Sequence, residues 1–415
     1  MICAVTPSVA AHALRKITEL EGQGSVVPQQ QQEGVRETIR GVGAGRRPDT
    51  FLRIAFVSML VDIICRSKNP DVILDGLGSI KQDCSAGQNY KERLLEELFE
   101  NITDLQISQI CRAIHIVSDL YEDKKQNVAA ADKFWVGLMD KGQTVKTGEQ
   151  IVEVFSTLPL LGKSRHMVLR LLEERCMQNW KELQTGDILN IFRVLTELKY
   201  DRLSPAFLRT LSGWLALHIH TVKEQEMLAI VWGFIQIDYC DDAVVKAVEK
   251  MMKKKGLQIL EADLISTICS FCTHFRIRSA HILGGVGQYL VDQHVRLEPA
   301  QVCAISQTFG TLDFHPPNGF KFWEVMENYL EHKFVKFSPL DMINMLVSFV
   351  YIERYPLNFT NKLFNPYFLD RLHAQPEEVR FMNTTSNVNL LMFQLIAISR
   401  AELKLFDSAM NLSCR

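Results

Sequence analysis

One spacing of apolar residues recurs along most of the chain. From residue 105 onward, a Gln, Asp or Glu precedes an apolar anchor residue, and further apolar residues follow three, four and seven positions later, except for Thr267 and Ser306. This spacing places the apolar side chains on one stripe of an α-helix. The polar residue then falls in the first helical turn, where an acidic group suits the positive end of the helix dipole. The predicted anchors are Ile107, Ile151, Ile188, Met227, Leu264, Val302 and Met342.

A second amphipathic segment follows each copy, so the repeating unit is a pair of helices. Two examples are "SPAFLRTLSGWLALH", which follows the Ile188 copy, and "GFKFWEVMENYLEHK", which follows the Val302 copy. The last six anchors lie 37 to 40 residues apart. A single hairpin cannot bury its own apolar stripe, whereas stacked hairpins bury one another's. The sequence therefore predicts an all-α fold, an α-solenoid of helix hairpins with a repeat of about 38 residues, similar to octotricopeptide units.

Changes in this pattern divide the chain into five predicted segments. Residues 1–21 form an N-terminal helix, and the Gly- and Gln-rich residues 22–50 form a flexible insertion. Residues 51–104 form degenerate helical repeats, and residues 105–337 form the octotricopeptide-like repeats. Residues 338–415 form the last repeat and a C-terminal capping part.

Charge and cysteine content narrow the class of protein. The formal net charge is −2, so no global basic field indicates nucleic acid, although local patches depend on how charge is arranged on one face. Ten scattered cysteines without a secretory signal indicate reduced, intracellular thiols. The most apolar run, residues 51–65, contains Arg53 and Asp62 and is too short to span a membrane.

Two short motifs resemble ligand sites but lack essential parts. The segment "LLGKS" ends like a phosphate-binding loop, but Thr157 stands where the first glycine belongs and no strand precedes it. Cys269 and Cys272, with His274 nearby, resemble half of a zinc site, but no second cysteine pair follows at a suitable spacing. Burial of both thiols in a repeat helix is the favoured interpretation.

No catalytic constellation can be assembled from the sequence. It contains no kinase catalytic-loop or metal-loop signature and no local Ser or Cys, His and acid set. We therefore expect no enzyme activity, no cofactor and no metal.

Polar positions beside the apolar stripe are the candidate binding residues. Offsets of two and five from each anchor carry variable polar or stacking residues, as a reader of one base per repeat would. An ordinary solvated helix face would look the same. Arg276 and Arg278 follow in the turn "THFRIRSAH", which is either an RNA contact or a solvated turn. The predicted RNA-binding residues are Gln109, Arg112, Asn190, Arg193, Trp232, Ser266, Arg276, Arg278, Gln307 and Asn344.

The segment from about residue 298 to 372 resembles the first conserved region of the FAST kinase domain-containing family. The resemblance is carried by "AISQTFGTLDFHPPNGFKFWEVMENYLEHKF" and, most specifically, by "LVSFVYIERYPLNFTNKLFNPYFLDRL". The terminal "LFDSAMNLSCR" is similar to the entry into the family's second region. The upstream helix pairs fit the same family.

This resemblance implies a function and a compartment. It implies a protein of the mitochondrial matrix that binds single-stranded mitochondrial RNA and regulates transcript processing, stability or translation, and hence respiratory-chain expression. Other mitochondrial RNA-processing proteins are the implied partners. The family's second region and its nuclease-like RAP domain are expected after Arg415, so no nuclease activity is expected of this chain. The alternative is a protein-interaction scaffold, because α-solenoids bind peptides as readily as nucleic acid.

Overall fold

The computed structural model describes residues 5–24, 48–80, 88–199, 202–354, 359, 362 and 365–373. The described residues are helical or lie in turns, and no strand occurs among them. The chain forms two compact units, which we call the N-terminal unit (residues up to 198, with 202–207) and the C-terminal unit (residues from 208 onward, with 199–201). Much of the predicted insertion and of the predicted C-terminal cap lies outside the described residues.

Helices account for most of both units. The N-terminal unit contains α1 (Pro7–Gly24), α2 (Pro48–Arg66), α3 (Pro70–Ser79), α4 (Gln88–Glu100), α5 (Ile107–Ser118), α6 (Lys124–Asp132), α7 (Trp135–Lys141), α8 (Gly148–Thr157), α9 (Arg165–Asn179) and α10 (Thr185–Leu198). Helix α11 (Pro205–His218) passes into the C-terminal unit, which continues with α12 (Glu224–Gln236), α13 (Asp242–Lys255), α14 (Ala262–His274), α15 (Ala280–Gln293), α16 (Pro299–Thr311), α17 (Gly319–Lys333), α18 (Pro339–Tyr351) and α19 (Pro366–His373).

Within each unit the helix that carries an anchor packs against the anchor helix of the next repeat. We call these the A helices, and the second helix of each hairpin the B helix. In the N-terminal unit α3 packs on α5, α5 on α8 and α8 on α10. In the C-terminal unit α12, α14, α16 and α18 pack in that order, and the B helices α13, α15 and α17 form a second row. The prediction of an all-α stack of helix hairpins is confirmed.

The predicted apolar stripes form the core. In α12, Met227, Ile230, Val231 and Phe234 are all buried. The stripes of α10, α16 and α18 are buried in the same way, with Ser306 among the buried residues of α16. Each such side chain contributes about 1.5–3 kcal/mol by leaving water, which explains why the stripe alone predicts the stack.

A recurrent turn fixes the end of the A helices. Five of them end at a non-glycine residue with positive φ: Lys199, Asp238, Arg276, Asp313 and Glu353. After α12, α14, α16 and α18, the next backbone N–H donates to a carbonyl five residues earlier; Ile277, for example, donates to Cys272 at 2.8 Å. This is the Schellman motif, whose extra hydrogen bond offsets the cost of about 1–2 kcal/mol for a left-handed residue.

The turn also corrects the predicted register of α14. The residue with positive φ lies eleven positions after the anchor in α10, α12, α16 and α18, but twelve after Leu264. Counting back eleven from Arg276 makes Ile265 the anchor. Its stripe of Ile265, Ile268, Cys269 and Cys272 is completely buried. The prediction of Leu264 as anchor was one residue early, because Leu264 is itself buried and apolar.

The aromatic segment after α18 contributes to the core of the C-terminal unit. Phe359 and Phe368 are buried, and their rings lie 6.2 and 5.9 Å from that of Phe334. Asn365 accepts a hydrogen bond from the backbone N–H of Tyr367 at 3.0 Å and so begins α19, with Pro366 in its first turn. These aromatic rings therefore pack within the protein.

Candidate functional site

In each unit, the outward positions of the A helices form a surface that we call the A-face of that unit. It consists of the residues two and five positions after each anchor. Its members in the N-terminal unit include Gln109, Arg112, Ser156, Asn190 and Arg193, and in the C-terminal unit Trp232, Ser270, Gln307 and Asn344. All of these side chains are half-buried or exposed, whereas the flanking stripe is buried.

The first A-face pair is held by the preceding repeat. Gln109 Nε2 donates to Asp71 Oδ2 at 3.1 Å, and its Oε1 accepts the backbone N–H of Gln106 at 3.0 Å. Arg112 forms an ion pair with Asp75. Asp71 and Asp75 both lie on α3, so these contacts join two neighbouring A helices. Gln109 and Arg112 therefore have a structural role that the sequence prediction did not anticipate.

The two A-face residues on α10, Asn190 and Arg193, differ in whether their side chains are free to bind a ligand. Asn190 Nδ2 donates to the carbonyl of Gly186 at 3.0 Å, within its own helix. Arg193 is exposed and makes no ion pair with any residue that the structure describes. Of the predicted residues in the N-terminal unit, Arg193 is thus the cation available to a phosphate.

Helices α5 and α8 are linked across the A-face by a neutral contact. His115 Nε2 lies 3.0 Å from Ser156 Oγ. Burial lowers the pKa of His115, which Asp119 only partly opposes. The imidazole is therefore neutral at physiological pH and adds hydrogen-bonding capacity rather than positive charge.

Trp232 is the large side chain of the A-face in the C-terminal unit. It sits five residues after Met227, and 47% of its surface is exposed. The equivalent positions on the next two A helices carry Ser270 and Gln307, and Gln307 Nε2 lies 3.3 Å from Cys303 Sγ. Asn344 is half-buried on α18. This row therefore combines one stacking surface with side chains that can form hydrogen bonds.

The corrected register changes the prediction for α14. Ser266 lies one position from the anchor Ile265, and its hydroxyl donates to the carbonyl of Asp263 at 2.9 Å in the first turn. Cys269, which the earlier register placed on the outward face, is buried, and burial raises its pKa to about 12. Ser270 is the residue that occupies the outward position.

The two predicted arginines lie at the edge of the hairpins, beyond the A-face. Arg276 is exposed and occupies the left-handed turn position after α14. Arg278 Nη2 donates to the carbonyl of Asp313 at 2.6 Å, one repeat further on. His274 Nε2 lies 2.8 Å from Asp238 Oδ1, one repeat back. Arg278 therefore links two neighbouring repeats through a hydrogen bond, while Arg276 remains exposed.

The "GKS" sequence binds a carboxylate of the protein itself. Asp132 accepts hydrogen bonds from the backbone N–H groups of Gly162 (2.9 Å), Lys163 (2.8 Å) and Ser164 (3.4 Å) and from the Ser164 hydroxyl (2.5 Å). Burial alone would raise the pKa of Asp132, but these hydrogen bonds outweigh it and lower the pKa. Backbone amides that could hold a phosphate are thus occupied by a side chain from α6.

The described part of the chain contains neither a metal-binding cluster nor a membrane-spanning helix. No group of three His, Cys, Asp or Glu side chains is placed to hold a metal ion there. Cys269 and Cys272 belong to the buried stripe of α14. Among the same residues, no helix is both long and apolar enough to cross a bilayer.

The fold defines the class of protein, because each unit is a stack of helix hairpins that exposes one face of its A helices. Residues 302–373 match the family model described as FAST kinase-like protein, subdomain 1. This match supports the predicted resemblance of the segment to the FAST kinase-like family.

Curated relatives extend the match into the repeats. The chain is 26% identical over 241 residues to FAST kinase domain-containing protein 3, mitochondrial, of Mus musculus, covering 57% of this chain and 36% of that protein. It is 28% identical over 210 residues to the Homo sapiens protein of the same name, covering 50% and 31%. It is 26% identical over 100 residues to FAST kinase domain-containing protein 5, mitochondrial, of Mus musculus, covering 24% and 13%. The chain thus spans about a third of the length of the first relatives that it matches.

Proposed function

We propose that the A-face binds single-stranded mitochondrial RNA without catalysis. Through this binding the protein regulates the processing, stability or translation of transcripts in the mitochondrial matrix, and hence respiratory-chain expression. The relatives whose names include "mitochondrial" support the compartment. Other mitochondrial RNA-processing proteins are the proposed partners.

The exposure of the Trp232 indole is the main support for this proposal. An indole that is 47% exposed on a helix face offers a flat apolar surface on which a base can stack. Stacking of one base on an aromatic side chain is worth about 1–3 kcal/mol. The neighbouring Ser270 and Gln307 add groups that can bond the edges of adjacent bases. Single strands expose these edges, whereas a duplex hides them.

The charge distribution predicts moderate affinity with a shallow dependence on salt. The net charge is −2, and both Arg112 and Arg278 are held by carboxylate or carbonyl oxygens of the protein. Arg193 and Arg276 are the predicted cations that are free among the described residues. The logarithm of the binding constant falls with the logarithm of the salt concentration, and the slope is proportional to the number of phosphates contacted. We therefore expect a slope with a magnitude of about one or two, well below that of a basic protein.

Fluorescence anisotropy with a labelled single-stranded RNA tests the proposal. Trp232→Ala should weaken binding about tenfold, the loss expected for one stacked base. Phe320→Ala is the matched control, because Phe320 is an exposed aromatic residue at the start of α17, away from the A-face. Absence of RNA binding at low salt, or equal losses in the two variants, would contradict the proposal and favour a protein-binding scaffold.

A further inference from the structure

A groove opens on the A helices near the start of the N-terminal unit. It is lined by residues of α1, α3 and α5 and has a volume of about 640 Å³. Helix α1 packs on α3 and α3 packs on α5, so the three helices are successive members of the A row. Pockets of about 300–1,000 Å³ hold small organic ligands. The groove is therefore large enough to enclose one planar group of a ligand that lies on this face.

A glycine on the A-face gives the groove its depth. Counting from Ile73, whose apolar stripe is buried, the outward positions two and five residues later are Asp75 and Gly78. The equivalent of Gly78 on the next A helix is Arg112. An added Cβ at Gly78 would lie 3.6 Å from Ile116 Cδ1, which is an ordinary contact, so packing permits a side chain there. The glycine instead leaves open space above α3.

Flat side chains line the α1 wall of this groove. His12 and Arg15 are exposed on α1, and both line the groove. Imidazole rings and guanidinium planes are surfaces on which the bases of single-stranded RNA stack. Leu74 of α3 and Ile116 of α5 add apolar atoms to the lining. The walls therefore suit a planar ring rather than a flexible chain.

The charged side chains of the lining oppose one another. Arg112 forms an ion pair with Asp75, and Arg15 Nε donates to Glu19 Oε1 at 3.2 Å. Lys16 binds Glu19 from outside the lining, at 2.7 Å. Guanidinium groups and carboxylates thus occur in equal number within the groove. This balance does not select a lone anion or cation, and it favours a neutral ligand that has both hydrogen-bond donors and acceptors.

The Arg112–Asp75 pair matches the edge of one purine best. The two side chains are 47% and 57% exposed, so each keeps donors or acceptors toward solvent. A guanidinium can donate to O6 of guanine, while a carboxylate accepts from its N1–H and its N2 amino group. The same edge of adenine offers one donor and one acceptor, and therefore one hydrogen bond fewer. A pyrimidine has a smaller ring surface to stack on the α1 wall.

We propose that this groove binds a guanine base of single-stranded RNA, an inference that rests on the proposed function of the A-face. The base enters above Gly78 and stacks on the side chains of α1. Its Watson–Crick edge bonds to Arg112 and Asp75, whose ion pair holds both groups in place. The groove thus selects one nucleotide of the strand.

Fluorescence anisotropy with the full chain and labelled oligouridylates tests the groove. Each oligomer carries one central guanosine, adenosine or cytidine. We expect the guanosine oligomer to bind at least about fivefold more tightly than the other two, which is the lower end of the discrimination that a bidentate base contact provides. Gly78→Leu fills the groove, and Asp75→Asn replaces one acceptor oxygen by a donor. Both residues are exposed, and each substitution should remove the preference for guanosine.

Gly213→Leu is the matched control, because it adds the same side chain to a helical glycine of α11 that has no atom within 4 Å of an added Cβ. It should keep the preference for guanosine. Trp232→Ala should weaken the binding of all three oligomers and also keep the preference. These results together support the groove as the guanine site.

The other outcomes separate this inference from the proposed function. Equal binding of the three oligomers, a preference for adenosine or cytidine, or loss of the preference in Gly213→Leu overturns the groove and leaves RNA binding by the A-face standing. If no oligomer binds, RNA binding itself is wrong and the groove inference fails with it. If guanosine monophosphate binds as tightly as the guanosine oligomer, the ligand is a free nucleotide and the assignment to RNA is wrong.

Discussion

Replacement of Asp132 by alanine tests how one side chain joins two repeats of the N-terminal unit. The carboxylate lies at the end of α6 and accepts three backbone N–H groups and one hydroxyl from residues 162–164, just before α9. Asp132→Ala leaves all four donors without this partner. The perturbation therefore removes a charged acceptor and keeps the surrounding apolar core.

The magnitude follows from the kind of hydrogen bond that is lost. Hydrogen bonds to charged groups contribute about 1.5–3 kcal/mol, and the freed amides can regain part of this from water because the site is half-buried. We expect Asp132→Ala to lower the free energy of unfolding of the N-terminal unit by about 2 kcal/mol, within the range of point mutants that break a buried network. Gly162 should remain glycine, since an added Cβ would lie 2.7 Å from Val128 Cγ1.

The contribution of Asp132 depends on pH in a defined direction. Its hydrogen bonds lower its pKa in the folded protein, despite the opposing effect of burial. The stabilisation is therefore fully present above the ordinary aspartate pKa of about 3.9 and is lost as the pH falls through the lower value of the folded state. The stability difference between wild type and Asp132→Asn should shrink as the pH is lowered through this interval.

Urea denaturation followed by far-ultraviolet circular dichroism measures both effects. Asp140→Ala is the matched control, because Asp140 is an exposed aspartate on α7 whose contact with Lys141 (3.6 Å) lies at the surface. Surface pairs of this kind contribute about 0–1 kcal/mol. Equal destabilisation by Asp132→Ala and Asp140→Ala, or a stability difference that grows on acidification, would show that the hydrogen bonds to the Asp132 carboxylate do not stabilise this unit.

Two further predictions concern packing and thiol chemistry. An added Cβ at Gly310 would lie 2.5 Å from the Ser348 Cβ, so Gly310→Ala should lower the free energy of unfolding by about 1–3 kcal/mol in the same assay. Gly213 has no atom within 4 Å of an added Cβ, so Gly213→Ala should stabilise by about 0.5–1 kcal/mol; destabilisation by both variants would contradict the packing argument. Burial raises the pKa of Cys269 to about 12, so iodoacetamide should modify the half-buried Cys65 and Cys240 before Cys269, as mass spectrometry can show. Protection of Cys269 that a chelator abolishes would instead indicate a metal site.

The apolar period was sufficient to predict the fold because the stripe itself is what each hairpin buries. The register failed by one residue in α14, where Leu264 and Ile265 are both apolar and both buried. Only the position of the left-handed Arg276 distinguishes the two registers. That distinction depends on backbone geometry, which the apolar pattern does not contain.

The sequence predicted the candidate site less completely than the fold. Whether a polar side chain is free to bind a ligand depends on the residues that it contacts one repeat away. Arg112 and Arg278 are of a residue type that commonly binds phosphate. However, Arg112 forms an ion pair with Asp75, and Arg278 donates a hydrogen bond to the carbonyl of Asp313. One usable signal was present in the sequence: Gln109 and Gln301 each lie 38 residues after the aspartate that they bind. The Asp132 contact offered no such signal, since its donors are mainly backbone amides.

RNA binding by the A-face can be measured by photocrosslinking the full chain to a single-stranded RNA and mapping the modified residues by mass spectrometry. We expect crosslinks on the A-face of the C-terminal unit, at Trp232 of α12, and their loss when unlabelled RNA competes. Crosslinks confined to residues outside the A-face, or none at low salt, would contradict RNA binding by the A-face.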